Sequence, residues 1–281
     1  MKAPDFDYLR PATLDEAIAA LAAAGGEAAP LAGGQSLVPM MNFRMARPEV
    51  LIDLGRIAEL RGIERRGDRV RIGAMTRYRD LAAWPDLARD LPLVALALPH
   101  IAHEAIRNRG TLGGSLSLAD PAAELPAVMV ALDAEIELKG PGGLRRVPAE
   151  GFFHGFYETD RRPDELLVAV EVPVSPGRAG FCELAQRHGD YAMAGVAAWA
   201  AGTAPWHGLR AAFFGIAGAP VLVDALGAAF EGQQGLPETA LAAARAALAG
   251  VDFLEDTKAA AATRRHYAGV VLERALKDML A

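Results

Sequence analysis

The chain has 281 residues, 52% of them apolar, with a formal net charge of −6 and a single cysteine, Cys182. It is long enough for two domains or one large domain with a sizeable core, and its acidic balance argues against a nucleic acid as the main partner, because phosphate binding usually requires a basic surface. One cysteine cannot form an internal disulfide, ligate an iron–sulfur cluster or build a cysteine-type zinc site, so we expect any redox carrier here to be organic and any metal centre to lie on another chain.

The beginning of the chain predicts a small α/β lobe. Thr13 and Glu16 have the spacing of a capping box, and the apolar residues that follow at helical spacing predict a helix that is stopped by a Gly-Gly pair. Residues 29–31 and 50–54 are expected to form strands. This alternation of helix and strand favours an α/β lobe that covers residues 1–55, with the boundary placed approximately.

Residues 56–174 contain further predicted strands and helices. Alternating or β-branched apolar residues predict strands at 69–74, 135–138, 145–147 and 166–172. Helical segments are predicted after Thr76, which can act as a cap, over the apolar stretch 91–106, and over 121–132. For the last of these, Asp120 before Pro121 has the form of an N-cap followed by the first helical residue.

Residues 175–178 have the composition of a linker, and a C-terminal unit is predicted to follow it. Segments 181–186, 193–201 and 209–216 are expected to form a three-stranded antiparallel sheet, with helices after it that end with one at 258–280. No apolar run reaches the roughly 18 residues that a membrane helix needs, and the first residues do not resemble a secretory signal. We therefore expect a cytoplasmic protein without a transmembrane segment.

Two glycine-rich turns are the most informative feature of the chain. They read Leu-Ala-Gly-Gly-Gln-Ser-Leu at 31–37 and Arg-Gly-Thr-Leu-Gly-Gly-Ser-Leu at 109–116, each between apolar segments that can form strands. Glycine allows positive φ and lets a ligand approach the backbone, and successive amides in such turns can bind an anion. Two such turns indicate a clamp on a diphosphate, in which both turns offer backbone N–H donors and Ser36, Thr111 and Ser115 add hydroxyls.

The flanks of the second turn contain further candidate residues. Arg107 and Arg109 suit a small anion, and Asp120 and Glu124 follow the turn. A carboxylate beside a diphosphate would repel it, so we assign these two carboxylates to ribose or ribityl hydroxyls or to ring nitrogens. Helix capping is the alternative for Asp120. A Rossmann site is not expected, because neither turn spells G-x-G-x-x-G at a strand-to-helix junction.

Other polar residues give weaker signals. His100 and His103 have no third ligand at a spacing typical of a metal site, and Ser36 lacks the partners of a hydrolytic nucleophile. The polar turn at 188–191 could close over a cofactor or only connect two strands, and the sequence leaves both open.

Four segments carry a pattern that extends beyond the two turns. They are LAGGQSLVPMMNFR at 31–44, IRNRGTLGGSL at 106–116, ADPAAELP at 119–126 and FCELAQRHGDYA at 181–192. Together they resemble the FAD-binding medium subunit of molybdenum hydroxylases, a family that includes the flavin subunits of carbon monoxide dehydrogenase and xanthine dehydrogenase. The resemblance covers the whole chain, and two glycine-rich motifs in this order and at this separation are highly specific.

The resemblance implies an α+β fold with two domains. The first, residues 1–174, would be an FAD-binding domain of the vanillyl-alcohol-oxidase (PCMH) type in two α/β lobes, 1–55 and 56–174. The second, residues 178–281, would be a smaller domain with a three-stranded antiparallel sheet and helices. FAD is the implied cofactor, and no catalytic residue or metal ligand is expected in this chain.

The resemblance also implies which residues bind FAD. The turn residues would hold the diphosphate and the adjacent sugar, Glu124 would be an acidic flavin ligand, and Tyr191 would cover the ring. The full set is Leu31, Ala32, Gly33, Gly34, Gln35, Ser36, Leu37, Ile101, Thr111, Leu112, Gly113, Gly114, Ser115, Asp120, Glu124, Leu167 and Tyr191. Cys182 falls where xanthine-type relatives carry a lysine, so the chain is expected to be closer to the carbon monoxide dehydrogenase branch. This departure weakens the inference that NAD⁺ is the electron acceptor.

The implied function is electron transfer within a larger hydroxylase. The implied partners are a molybdenum-cofactor large subunit and a small subunit with two iron–sulfur clusters, assembled as a dimer of heterotrimers. Two alternatives are a free-standing FAD-dependent oxidoreductase and a scaffold subunit with a vestigial nucleotide site. Carbon monoxide, purines, aldehydes and N-heteroaromatic compounds are all compatible substrates, and the electron acceptor stays open.

Overall fold

The first sheet is small and entirely parallel. The structure, a computed structural model, describes residues 2–281, and the first sheet has the strand order β1-β3-β2. Its strands are β1 (Asp7–Leu9), β2 (Ala28–Leu31) and β3 (Val50–Asp53). Helix α1 (Leu14–Ala23) begins at the predicted capping box, in which the Thr13 side chain accepts from the Glu16 amide and Glu16 bonds back to the cap. Its apolar face packs against Ile52 of β3.

The second sheet is antiparallel and has the order β4-β5-β10-β6-β7. The strands of this region are β4 (Ile63–Arg66), β5 (Arg69–Gly73), β6 (Glu135–Gly140), β7 (Gly143–Pro148), β8 (Phe153–Gly155), β9 (Glu158–Thr159) and β10 (Leu166–Pro173). β8 and β9 form a separate hairpin. β10 lies at the centre of the second sheet with residues 166–172 buried, which explains its continuous apolar run. The four predicted strands of this region are confirmed.

Short helices lie between the strands of the first two sheets, and most of them pack against the second sheet. They are α2 (Leu37–Asn42), which follows the first glycine-rich turn, and then α3 (Tyr78–Ala82), α4 (Leu87–Asp90), α5 (Pro92–Ala97), α6 (Glu104–Arg107), α7 (Leu112–Leu118) and α8 (Glu124–Ala131). The predicted helical stretch 91–106 is interrupted between α5 and α6, where Ala102 adopts φ 44°. Thr76 does not cap a helix: its hydroxyl donates to the Gly62 carbonyl at 3.2 Å, and α3 begins two residues later.

The predicted start of α8 at Asp120 and Pro121 is wrong. The Asp120 side chain accepts from the Ala122 amide at 2.9 Å, and the helix begins at Glu124 after Ala123 as N-cap. A local bond of an aspartate to the amide two residues on stabilises a turn in competition with the helix. The turn therefore leaves Asp120 outside the helix.

The C-terminal sheet has four antiparallel strands rather than the predicted three. Its order is β11-β12-β13-β14, with β11 (Gly177–Leu184), β12 (Ala194–Ala201), β13 (His207–Phe214) and the short β14 (Val221–Leu222). The last strand pairs through only two residues, too few to give a sequence pattern. β11 starts inside the predicted linker. Helices α9 (Asp224–Phe230), α10 (Glu238–Ala247) and α11 (Ala261–Asp278) complete this region.

The C-terminal sheet is buried on both faces. One face packs against α11 and the other against α5 and α8, so Phe181 and Phe214, whose ring centroids lie 5.7 Å apart, belong to the same apolar core as the helices of the second sheet. Arg210 of β13 donates to the carbonyls of Val130 and Ala131 at the end of α8, at 3.0 and 3.1 Å. Across residues 2–281, every helix is too short or too polar to cross a bilayer.

Candidate functional site

A cavity of about 500 Å³ lies where the first sheet, the second sheet and the loop after β11 meet, within the range of small-molecule and cofactor sites. Both glycine-rich turns contribute to its wall. Of the predicted binding residues, those that line it are Ala32, Gly33, Gly34, Gln35, Ser36, Leu37, Ile101, Thr111, Gly113, Gly114, Ser115, Asp120, Glu124, Leu167 and Tyr191.

Leu31 and Leu112 are the predicted residues that do not line the cavity. The Leu31 side chain lies close to Gly34 from behind the first turn, and Leu112 is fully buried in the core. Both leucines therefore support the turns rather than the cavity surface.

The first turn lines the cavity and has four successive amides without a hydrogen-bond acceptor among residues 2–281. It follows β2 and leads into α2, and Gly34 adopts φ +72°, which favours glycine. Within the described chain the amides of residues 33–36 donate to no acceptor, and all four residues line the cavity. The Gln35 side chain braces the turn by donating to the Gly33 carbonyl at 2.9 Å. Unpaired amides that converge on a concavity are suited to an anion such as a diphosphate.

The second turn differs, because most of its amides are already paired. The Leu112 and Gly113 amides donate to the carbonyls of Thr76 and Ala74 at 3.0 and 2.8 Å. The Gly114 and Ser115 amides donate to the hydroxyl and carbonyl oxygens of Thr111, at 3.2 and 3.1 Å. The expectation that both turns offer several backbone donors is therefore wrong for the second turn.

The second turn therefore contributes mainly hydroxyl groups and glycine backbone to the cavity wall. It also leads into helix α7, with Thr111 as N-cap, rather than into a strand. Arg107 and Arg109 do not line the cavity; Arg107 instead donates to the carbonyls of Ile101 and Ala102, both at 2.8 Å.

The two turns touch each other, and glycine is required at the contact. A Cβ atom on Gly33 would overlap the Arg109 carbonyl oxygen and lie 3.0 Å from the Gly110 Cα. A Cβ on Gly113 would lie 2.5 Å from the Ala74 Cβ. Real Cβ contacts are longer than either value, so a side chain at these positions would separate the turns or displace α7 from β5. The glycines therefore bring distant parts of the chain into backbone contact at the cavity wall.

Two carboxyl groups face the cavity beyond the second turn. Glu124 is the first residue of α8. Burial is the main reason that its pKa is raised to about 7; a hydrogen bond from its own backbone amide and the charge of His100 oppose this shift, and the charges of Glu183 and Asp120 add to it. Burial also raises the pKa of Asp120. A carboxyl that is partly protonated near neutral pH can accept or donate a hydrogen bond, and it repels a nearby anion less than a carboxylate does.

Apolar side chains and an aromatic ring also line the cavity. Ile101 and Leu167 are buried at 7% and 4% exposure, and both line it. Tyr191, on the loop after β11, lines the cavity too and is 62% exposed, with the Lys258 ammonium 5.2 Å from its ring centroid. Apolar side chains together with an aromatic ring are suited to binding a flat ring system.

Sequence reasoning missed several polar residues of the wall, among them Tyr78 and Arg161. Tyr78 of α3 lines the cavity, and burial raises its pKa to about 12. Arg161 also lines it, with its guanidinium donating to the Arg162 and Glu165 carbonyls at 2.9 and 2.8 Å. Neither lies in a glycine-rich motif, and long-range packing brings both to the cavity, so no local pattern could have identified them.

Comparison with known proteins agrees with this geometry. Residues 4–175 match the family model "FAD binding domain in molybdopterin dehydrogenase", and residues 179–279 match "CO dehydrogenase flavoprotein C-terminal domain". The carbon monoxide dehydrogenase medium chain of Hydrogenophaga pseudoflava is 39% identical over 97% of this chain and 96% of its own length. The nicotine 6-hydroxylase medium subunit of Paenarthrobacter nicotinovorans is 36% identical over 99% and 98%.

Solved structures give the same result. Carbon monoxide dehydrogenase from Hydrogenophaga pseudoflava superimposes with a TM-score of 0.95 at 40% identity, covering 99% of this chain and 98% of that one. Quinoline 2-oxidoreductase from Pseudomonas putida 86 gives a TM-score of 0.94 at 34% identity, with both chains covered completely. The expected fold, and FAD as the cofactor, are thereby confirmed. The chain belongs to the family of FAD-binding medium subunits of molybdenum hydroxylases.

Proposed function

We propose that this chain holds FAD in the cavity between the two glycine-rich turns and the loop that carries Tyr191. In this role the chain would hold FAD as an electron carrier between iron–sulfur clusters of a small partner subunit and an external acceptor. A molybdenum-containing large subunit oxidises the substrate and determines its identity. The observation that carries this proposal is the row of unpaired amides at residues 33–36 on the wall of a cofactor-sized cavity.

The first turn is the diphosphate site of this proposal. Its free amides and the Ser36 hydroxyl donate to phosphate oxygens, and hydrogen bonds to a charged group contribute about 1.5–3 kcal/mol each. The second turn adds the hydroxyls of Thr111 and Ser115, and Gly113 and Gly114 let the phosphates approach its backbone. Leu31 and Leu112 hold the two turns in place from behind.

The apolar part of the cavity wall is the ring site of this proposal. Ile101 and Leu167 form its floor, Tyr191 covers it, and Glu124 and Asp120 contact the sugar or the polar edge of the ring. Bound FAD supplies the electron-transfer chemistry, and the chain contributes position, exclusion of water and local charge. No residue of this chain acts as a catalytic acid or base on the substrate in this scheme.

The wider organisation is part of the same proposal. We divide the chain into an FAD-binding domain at 1–174, with lobes at 1–55 and 56–174, and a C-terminal domain at 178–281. The relatives are named medium chain or medium subunit, which supports a large and a small partner. A cytoplasmic dimer of heterotrimers is the assembly that we propose.

Anaerobic reduction of the assembled complex tests this function. The FAD-loaded chain is mixed with substrate alone, with either partner subunit, and with both, and the loss of oxidised flavin absorbance is followed. We expect rapid loss only when both partners are present. Reduction by substrate in the isolated chain would instead favour a free-standing oxidoreductase, and failure to take up FAD would favour a scaffold with a vestigial site.

A further inference from the structure

Arg107 of α6 makes a set of hydrogen bonds that the proposed cofactor contacts do not use. Its Nη1 donates to the Ile101 and Ala102 carbonyls, both at 2.8 Å, and to the Pro99 carbonyl at 3.4 Å. Within residues 2–281 no backbone amide donates to the Ile101 or the Ala102 carbonyl. A partly buried carbonyl without a donor is unfavourable, so the guanidinium holds both carbonyls in place.

The carbonyls belong to residues 99–103, here called the wall segment, whose backbone conformation needs this support. Ala102 adopts φ +44°, in a region that residues with a side chain rarely occupy. Such a conformation persists where the surrounding contacts determine it. Ile101 and Ala102 both line the cavity. The bonds from Arg107 therefore fix a part of the cavity wall.

The wall segment is also in contact with residues 188–191, here called the cover loop, which carries Tyr191. Gly189 adopts φ +80°, and a Cβ atom on it would lie 2.6 Å from the Ala102 carbonyl oxygen, so the two backbones touch. Gly189 and Tyr191 both line the cavity. The Ala102 carbonyl thus accepts from the guanidinium and also contacts the loop that carries the aromatic ring.

Two side-chain contacts join the wall segment to the same region. The ring centroids of His100 and His188 lie 5.5 Å apart in an edge-on arrangement, and His188 belongs to the cover loop. The His100 Nδ1 lies 3.2 Å from Glu183 Oε1 on β11, the strand that precedes this loop. A displacement of the wall segment is therefore expected to displace the cover loop.

We propose that Arg107 is a positioning residue that determines how closely Tyr191 covers the flavin ring. The inference rests on the proposed function, in which Tyr191 lies over the ring of bound FAD. Arg107 does not line the cavity, and it acts through the Ala102 carbonyl, which it holds against the cover loop. Without the guanidinium, the wall segment relaxes towards an ordinary backbone conformation and the cover loop moves away from the ring.

The fluorescence of FAD bound to the full chain, measured per bound flavin after free FAD is removed, tests this role. A tyrosine in contact with a flavin ring quenches its fluorescence, and the quenching weakens steeply with distance. We expect Arg107→Met to raise the fluorescence at least about twofold, because displaced conformations of the cover loop become more populated. Arg47→Met is the matched control and should follow the parent, since Arg47 donates to a main-chain carbonyl, that of Arg44 at 3.2 Å, and neither residue lines the cavity.

A double variant tests whether the effect of Arg107 passes through Tyr191. Tyr191→Phe retains an aromatic ring but removes the quenching phenol, so its fluorescence should exceed that of the parent. Adding Arg107→Met to Tyr191→Phe should then give no further rise. An equal rise in both backgrounds would mean that Arg107 supports the cavity in general, and fluorescence of Tyr191→Phe at the parent value would mean that Tyr191 does not cover the ring. Either result would overturn the proposal.

A variant on the other side of the contact covers the case in which Arg107→Met does not retain FAD. Gly189→Ala places a Cβ atom against the Ala102 carbonyl and should raise the fluorescence as Arg107→Met does. Gly202→Ala is its control, because Gly202 has a similar φ of +65° and a Cβ there meets nothing within 4 Å. Unchanged fluorescence in Arg107→Met or Gly189→Ala, with FAD fully bound, would disprove the role of Arg107 and leave the FAD site intact. A parent chain that binds no FAD would instead contradict the proposed function.

Discussion

At the scale of single residues, the charge of the cavity depends on Glu124. Its carboxyl is buried, and this burial, with the charges of Glu183 and Asp120 adding to it, raises its pKa to about 7 from an ordinary value of 4.5. The folded chain thus binds a proton at pH values where the unfolded chain has lost it. The contribution of Glu124 to the free energy of unfolding is therefore fully present below about pH 4.5, and it is lost as the pH rises through about 7.

Glu124→Gln should remove that loss of stability. The raised pKa of Glu124 corresponds to a free energy of roughly 3 kcal/mol. Between about pH 5 and about pH 8, the free energy of unfolding of the variant should therefore increase by about that much relative to the parent. Urea unfolding of both proteins at the two pH values, without added FAD, measures the difference. An identical difference between variant and parent at the two pH values would show that Glu124 is ionised normally in the folded chain.

The glycine-rich turns show how far residue patterns can predict this site. Their composition correctly indicates a close backbone approach, and both turns line one cavity. Which amides are free could not be predicted, because the Leu112 and Gly113 amides of the second turn pair with the Thr76 and Ala74 carbonyls of a preceding segment. Whether those carbonyls lie within reach depends on tertiary structure, which no local motif encodes.

At the scale of helices and strands, local sequence signals predict an element correctly where no competing hydrogen bond forms. The capping box at Thr13 starts α1 as predicted, and the apolar run of β10 is a central strand. The prediction for α8 fails because the Asp120 side chain bonds the Ala122 amide, and an Asx turn and an N-cap have the same residue preferences. The short strand β14 gives no pattern at all.

Arg210 of β13 is expected to stabilise the contact between β13 and the end of α8. Replacing it with methionine, Arg210→Met, removes two charge-assisted hydrogen bonds to the last carbonyls of α8, which should destabilise the chain by about 2–3 kcal/mol. Arg245→Met is the control, since Arg245 pairs with Glu238 and Glu273 on the surface, and such pairs contribute about 0–1 kcal/mol. Equal losses in urea unfolding would mean that Arg210 does not stabilise the contact.

At the scale of the whole molecule, the C-terminal sheet and the FAD-binding region share one apolar core. This packing presents the loop with Tyr191 to a cavity whose other walls come from the two preceding sheets. Composition and motifs predicted the family and the cofactor, because two separated glycine-rich motifs are specific. The closeness of β11 to α5, which brings Glu183 to His100, could not be predicted, since 83 positions separate the two residues.

The central claim is that FAD is held where the two glycine-rich turns touch, and equilibrium titration of the full chain with FAD tests it most directly. Gly33→Ala adds one methyl group at the contact with Arg109 and Gly110, whereas Gly142→Ala adds the same group in open space. We predict that Gly142→Ala binds FAD as the parent does and that Gly33→Ala binds at least about tenfold more weakly, a loss of about 1.4 kcal/mol. Equal dissociation constants for the parent and Gly33→Ala, with both chains folded, would contradict the account.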